Sequence, residues 1–506
     1  MKTYSFTSPL FSLALWSAQF VSAEPLSVQR RDASILIDPA AQPSLPSIGA
    51  ATAAASTVGL NLTNIQGDVL IGMKKNKELF FFFGITDGAK FKSSLKSVIL
   101  PRVTTTTQLL DVSKQPNTAL NIAFSQTGLK ALNITDNLGD SAFSQGQFAN
   151  AANLGDPGTT NWVKQFIGTS IHGVLLLASD TLDKCESELT AIKNQLAKCN
   201  CVKELYRLEG AARPGSEQGH EHFGFLDGIS NPAVEGFQTP LPGQAVVPPG
   251  EILVGESGDS LQASRPSWAK DGSFLAFRQL KQLVPEFNKF LADNPIRTGK
   301  LTRQQGSDLM GARMVGRWKS GAPVFLSPLV DDPNLGADPH RNNNFTYAKP
   351  GQTFSDPADQ TKCAFAAHIR KTRPRADLGL PENQQSSNHH IVRGGIPYGP
   401  EVSAAEAKAN KTQTERGLAF VAYQSNILAG FQFLQRFWAD NIDFVQGNVG
   451  FDPIIGANAG SPRIVNGLDP TNATRSVTIE TDFIVSRGGE YFFSPSLTAL
   501  ATKFAA

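Results

Sequence analysis

Four consecutive phenylalanines, Phe80 to Phe83, inside Lys77-Glu78-Leu79-Phe80-Phe81-Phe82-Phe83 and ended by Gly84, constrain the fold of this chain more than any other feature. An apolar run without polar alternation reads as a buried strand. Ile171–Ala178 is a second run of that kind, and Leu120–Phe124 reads as a third strand. Helical spacing of apolar residues marks 88–98, Ser125 to Leu132 and about 180–198, the last with charges between its apolar positions. Strands alternate with helices here, but they are too few for a doubly wound sheet. An α+β arrangement, a sheet covered by helices on one face, fits better.

At 506 residues the chain exceeds one compact core, so two domains are expected. From Gly236 to about Ser267 the composition shifts to Pro, Gly and Gln, which predicts a boundary or a long surface connection. Beyond it, Ser273–Leu280 is strand-like, Glu286–Asn294 is a short amphipathic helix and 301–315 is helical. Residues 330–362 are polar and carry no obvious element. Leu418–Gln424 reads as a strand, Ile427–Asp440 as a helix and Glu490–Phe493 as a last short strand. The expected domains are therefore 58–235 and 236–506, two α+β halves without a sequence repeat between them.

The amino terminus reads as a targeting segment. Lys2 precedes an apolar run from Pro9 through Val21, and Ser22-Ala23 offers small residues for cleavage after Ala23, giving a signal peptide over 1–23. The run is too short and too interrupted to span a membrane. Residues 24–57 read as a propeptide or linker: Arg30-Arg31 suits a second cleavage, and 40–57 is rich in Ala, Pro and Ser, without a fold of its own. Five N-x-T sequons, at Asn61, Asn133, Asn344, Asn410 and Asn472, agree with a secreted, extracellular glycoprotein. A net charge of +2 with 18% charged residues gives no electrostatic case for a nucleic-acid or membrane-surface partner. Four cysteines are too few for a disulfide framework. A bridge from Cys185 to Cys199 or Cys201 is compatible with the spacing, which does not choose a pairing.

Residue chemistry points to a handful of positions. Asp227 stands in Gly224-Phe225-Leu226-Asp227-Gly228, within His220-Glu221-His222-Phe223 and Ile229-Ser230-Asn231-Pro232. A carboxylate in such apolar company gains proton affinity unless a partner offsets the burial, which is the environment of an acid or base. His368 ends the small apolar run Cys363-Ala364-Phe365-Ala366-Ala367, where an imidazole can face a planar ligand and donate nitrogen to a metal; Arg370, Lys371, Arg373 and Arg375 follow as a cationic cluster suited to carboxylates. Arg393 precedes Gly394-Gly395 and carries a permanent charge that can hold an oxygen species or a buried carboxylate. Leu418 and Phe420 alternate along one strand and so share a face. Asp482 has the chemistry of an acceptor for a metal-bound imidazole, with nothing local to single it out over Glu480.

Taken together, Asn64-Ile65-Gln66-Gly67-Asp68, the glycine-flanked Asp227 element, His368-Ile369-Arg370-Lys371-Thr372, Arg393-Gly394-Gly395-Ile396-Pro397-Tyr398-Gly399 and Gly488-Gly489-Glu490-Tyr491-Phe492-Phe493 appear in one order. In this the chain resembles the fungal secreted dye-decolorizing peroxidases, over nearly all of its length from about residue 60. The resemblance implies two ferredoxin-like α+β domains with antiparallel sheets packed around one haem b per chain, and helices on the outer faces. It implies His368 as proximal iron ligand, Asp227 as distal acid-base residue and Arg393 as its distal partner. Leu418 and Phe420 would border the distal pocket, Asp482 would accept the proximal hydrogen bond, and Arg370 would belong to the cofactor-binding set. Tyr398 and Trp438 match surface aromatics that pass electrons from bulky substrates. The family often has two arginines in succession where this chain has Arg393-Gly394, so only the first is kept.

The implied activity is oxidation of bulky dyes and phenols by hydrogen peroxide, by a monomer or homodimer. Asp227 would shuttle the peroxide proton, with an acidic pH optimum because an aspartate stays ionised at lower pH than a histidine. Two other classes stand beside it: a haem-binding or haem-transport protein without peroxidase activity, and a secreted structural glycoprotein without cofactor. A Soret band, then peroxide-dependent oxidation of a bulky dye, separates the three.

Overall fold

All four phenylalanines of Phe80–Phe83 are buried, at 2% exposure or less, because the strand that carries them is covered on both faces. The computed structural model describes residues 44–506 apart from 73–74, 300, 350–351, 353–358, 380–387 and 473. The expected signal peptide and the Arg30-Arg31 pair lie outside the described residues. Strand β1 (Lys77–Ile85) pairs antiparallel with β3 (Gly173–Ser179) on one side and β4 (Val202–Ala211) on the other. Strand β2 (Ala119–Phe124) continues beyond β3. The second half adds β5 (Ser273–Gln282), β6 (Ile396–Tyr398), β7 (Gly417–Gln424) and β8 (Ile484–Ser494).

These eight strands close on themselves. β4 meets β6 at Gly210 opposite Tyr398, β6 pairs with β7, β7 with β5, β5 with β8, and β8 returns to β2 at Phe493 opposite Phe124. Each half thus contributes four strands to one antiparallel barrel, and closure leaves no long edge to aggregate. Phe80 and Phe82 point inward with Leu176, Phe277, Val421 and Phe492. The Phe82 ring lies 4.9 Å from Phe277 and 5.2 Å from Phe166. Phe81 and Phe83 point outward under helix α2 (Leu182–Leu196), against Cys185, Leu189 and Ile192. A continuous apolar run is what such two-sided burial requires, at about 2–3 kcal/mol per ring.

A further core lies outside the barrel. It gathers Phe223, Phe287 of α3 (Val284–Asp293), Met310 and Met314 of α4 (Arg303–Val315), Trp318 and Ala364 to Ala367. This layer carries the loops described below.

Several expectations change. The described part of 40–57 is not without a fold: Ser47 caps helix α1 (Ile48–Val58), and Ala51 and Ala55 bury against the barrel's inner cluster. Gly236 to Ser267 is no surface connection, since Val247, Ile252 and Leu253 are fully buried. The helix expected over Ile427–Asp440 is confined to 431–439. β4 escaped the sequence because Lys203, Glu204 and Glu209 face solvent and break the apolar signal. Cys199 pairs with Cys201, while Cys185 and Cys363 are buried free thiols. Among the described residues no helix is long and apolar enough to cross a membrane.

Candidate active site

The Asp227 turn is built on two glycines in the left-handed region, Gly224 at φ 91° and Gly228 at φ 86°, where any other residue is strained. The backbone N–H of Asp227 donates to the Gly219 carbonyl at 3.0 Å. Its carboxylate then accepts from the Gly228 N–H at 2.6 Å and from Nη1 of Arg393 at 2.5 Å, both on Oδ1. Burial alone would push this carboxyl upward; the Arg393 guanidinium and the Gly228 N–H more than offset it and hold it below the ordinary aspartate range. The local residues predicted the burial, and the family resemblance implied the partner. The partner is Arg393.

Arg393 is held in turn by Asn231, whose side chain accepts from the Arg393 N–H at 3.2 Å and donates to its carbonyl at 3.1 Å. This two-bond clamp went unread in the sequence, although Asn231 ends the same motif as Asp227. Gly395 lets the loop lie flat on β7: a Cβ there would stand 2.7 Å from the Ala419 carbonyl oxygen. Gly394, where the family often has a second arginine, has ordinary contacts only, the nearest at 3.6 Å from Val421.

His368 opens the short helix His368–Thr372, which Lys371 anchors by donating to the carbonyls of Trp438 and Asn441. Its Nδ1 lies 2.8 Å from Oδ2 of Asp452, a residue without solvent exposure. Oδ1 of Asp452 is fixed by the N–H groups of Ile454 and Ile455 at 2.8 and 3.0 Å. Burial depresses the imidazole and Asp452 raises it further, so the net direction is upward; Asp452 is held down by the same contact and by its backbone donors. The acceptor is thus Asp452 and not Asp482, which pairs with buried Arg463 at 3.0 Å. With Nδ1–H committed to a carboxylate, Nε2 is the free donor atom. The charges of Asp227 and Arg393 reach His368, Asp227 raising and Arg393 lowering its proton affinity, so the three lie within electrostatic range of one another.

Leu418 and Phe420 are half-buried on β7, while their neighbours Ala419 and Val421 fill the barrel. Leu418 and Phe420 therefore face away from the barrel interior. Arg370 does not face it: the guanidinium is bound on two sides by Asp377 at 2.6 and 2.7 Å and donates to the Cys363 carbonyl. The cations left over are Arg317, Arg373 and Arg375, which among the described residues meet carbonyls, Ser230 and Asn343 but no carboxylate. Among the described residues Nη1 of Arg373 is buried without a partner, and burial beside Arg375 and Arg317 pushes that guanidinium well down. Three crowded guanidiniums, an imidazole Nε2 and an apolar wall fit a planar metal cofactor that brings its own carboxylates.

Neither aromatic expected at the surface is there. Tyr398 is buried and donates to Glu415 at 2.9 Å; Trp438 is buried, stacked 5.0 Å from Phe444 and roofed by Phe433 and His389. The exposed ring in this group is Phe437, 5.1 Å from Phe433.

Comparison with known proteins places the chain in a family and matches its fold. Residues 64–214 match the family described as DyP dimeric alpha+beta barrel domain, and 219–447 match Dyp-type peroxidase, C-terminal. The chain is 60% identical over 486 residues to Peroxidase 2 of Mycetinis scorodonius, covering 93% of each. It is 54% identical over 503 residues to a dye-decolorizing peroxidase of Auricularia auricula-judae, covering 98% of this chain and 96% of that one. A crystal structure of a fungal DyP-type peroxidase from Auricularia auricula-judae superposes with a TM-score of 0.85 at 55% identity, over 88% of this chain and 99% of that one.

Proposed function

This chain belongs to the DyP-type peroxidase family of haem enzymes, and on that premise we propose that Asp227 and Arg393 are its distal pair and His368 its iron ligand. We further propose one haem b per chain, hydrogen peroxide as oxidant and bulky dyes and phenols as reductants. The observation that carries this reading is the Arg393–Asp227 pair within electrostatic range of an imidazole whose Nδ1 is bound to a buried carboxylate.

Haem, when bound, supplies redox-active iron that takes oxidising equivalents from peroxide and draws electrons singly from substrates. The residues of the chain do the rest. His368 donates Nδ1–H to Asp452, which fixes the tautomer and makes Nε2 the more basic ligand. Arg317, Arg373 and Arg375 would receive the carboxylates of the cofactor, and Leu418 and Phe420 would wall its open side. Asp227, ionised, takes a proton from incoming peroxide at its carboxylate and returns it to the departing oxygen. Arg393 keeps Asp227 ionised and offers its N–H groups to the negative charge that develops there. Asn231 keeps Arg393 aimed.

Secretion belongs to the same proposal. It is supported by the apolar leader and by the exposure of all five sequon asparagines.

Replacing Asp227 with Asn tests the assignment. The variant should bind haem with an unchanged Soret band and lose nearly all reaction with peroxide; near-normal turnover would sink it. Peroxide-dependent oxidation of a bulky dye by the purified protein is the outcome a haem carrier would not give.

A further inference from the structure

The turn that carries Asp227 is tied from below by another carboxylate. Glu221 is half-buried, and its two oxygens take three donors: Oε2 accepts from the Phe223 N–H at 2.8 Å and from Nε2 of Gln282 at 2.5 Å, and Oε1 accepts from the Phe225 N–H at 2.9 Å. The backbone of the same residue closes the loop, its N–H donating to the Phe225 carbonyl at 3.0 Å and its carbonyl accepting from Gly224 at 2.8 Å. Gln282 is the last residue of β5, the barrel strand paired with β7, which bears Leu418 and Phe420. One side chain therefore fixes residues 221–225 to one another and to the barrel wall, two residues before Asp227.

We propose that Glu221 is the positioning residue of the distal turn, its ionised carboxylate setting where Asp227 stands against Arg393. The inference rests on the reading of Asp227 as the proton shuttle. Three donors meet the two oxygens of Glu221, the arrangement that an ionised carboxylate accepts.

The charged and titratable groups facing the pair are few. Around Glu221 stands Arg213, which donates to the Glu221 carbonyl at 2.8 Å and is otherwise bound by Glu217 and Glu401. Around Asp227 stand Arg393 and His368. Lys319 accepts from the Leu226 N–H through its carbonyl, and its ammonium lies over the Phe225 ring. Burial pushes Glu221 up, with Asp227 adding to the rise, whereas Arg393 holds Asp227 down. On acidification Glu221 takes its proton first. The turn then loosens while Asp227 is still ionised.

The test compares Glu221→Gln and Glu221→Ala with the unaltered holoenzyme. Amide hydrogen exchange over 219–228 should quicken about tenfold in Glu221→Ala and less in Glu221→Gln, whose carbonyl oxygen replaces part of the clamp. The bimolecular rate with peroxide, followed from acid to neutral pH, should fall about tenfold or more on its plateau in Glu221→Ala. In Glu221→Gln the acid limb should move to lower pH by about half a unit or more, because the first titration, that of Glu221 itself, is removed and Asp227 alone sets the limb. A purely structural role lowers the plateau without moving the limb. An unmoved limb in Glu221→Gln, or unchanged exchange in Glu221→Ala, overturns the inference. If Asp227→Asn reacts normally with peroxide, the proton-shuttle reading itself has failed; if it is inactive while the Glu221→Gln limb stays put, only the positioning role has.

Discussion

Removing the guanidinium of Arg393 should shift the acid limit of the peroxide reaction upward. In Arg393→Leu, Asp227 keeps its burial and its Gly228 donor but loses the cation 2.5 Å away. Two unit charges about 3 Å apart attract by about 5 kcal/mol at an effective dielectric of about 20. The two side chains are 26% and 21% exposed, so solvent screens the pair; about a third of that attraction survives, near 1.5–2 kcal/mol. At about 1.4 kcal/mol per unit this moves the Asp227 pKa up by about 1 to 1.5 units. The sign follows from the direction seen in the folded protein. Arg393 lowers the pKa, so the ionised, proton-accepting carboxylate persists to a more acidic pH, and its loss makes activity fail at a higher pH. Stopped-flow measurement of the peroxide rate constant, on variants whose Soret bands show full haem, gives the half-rate pH. Arg393→Leu should also lose about a hundredfold in plateau rate, from lost charge stabilisation. Arg393→Lys, which keeps the charge without the planar fork, should recover most of the pH shift and less of the plateau. Measured in the Glu221→Gln background, where Asp227 alone sets the acid limb, a half-rate pH that stays put on Arg393→Leu would refute the coupling of the two residues.

The remaining predictions concern the proximal side and the barrel. Asp452→Asn should raise the midpoint potential of bound haem in a spectroelectrochemical titration, because the imidazole loses its anionic partner. Asp482→Asn should leave that potential unchanged and cost about 1–3 kcal/mol of stability by stripping buried Arg463 of its partner, which a denaturant titration reads. Phe82→Ala should destabilise the fold by about 3–5 kcal/mol in the same assay, since its ring packs against Phe166, Tyr206 and Phe277 inside the barrel.

Legibility in the sequence followed the range of the interactions. Phe80–Phe83 announced a strand because local apolar density is what two-sided burial demands, and the outward helix Leu182–Leu196 announced itself by its own spacing. β4 stayed hidden because its charges are solvated, and Ile396–Tyr398 because three residues carry no period. Asp227, Arg393 and His368 were each legible as residues, through their glycines or small neighbours and through family resemblance. Their partners were less so. Asp452 lies 84 residues from His368, and its local mark is a carboxylate accepting from backbone N–H groups two and three residues on, a turn pattern that says nothing of an imidazole. Choosing Asp482 in its place was a choice between carboxylates that sequence cannot rank.

The cationic run after His368 failed in the opposite way. Its composition pointed to a carboxylate partner for the whole run, but the fold spends Arg370 on Asp377, only seven residues away, and leaves Arg373 and Arg375 beside Arg317 from another loop. A guanidinium is worth most to a ligand where the protein has not already paired it, and pairing is a property of the fold. The same reasoning separates Glu221 from Asp227. Both are half-buried carboxylates in one motif, yet one is bound by amide donors alone and the other also by an arginine. The first is suited to hold a loop and the second to exchange a proton.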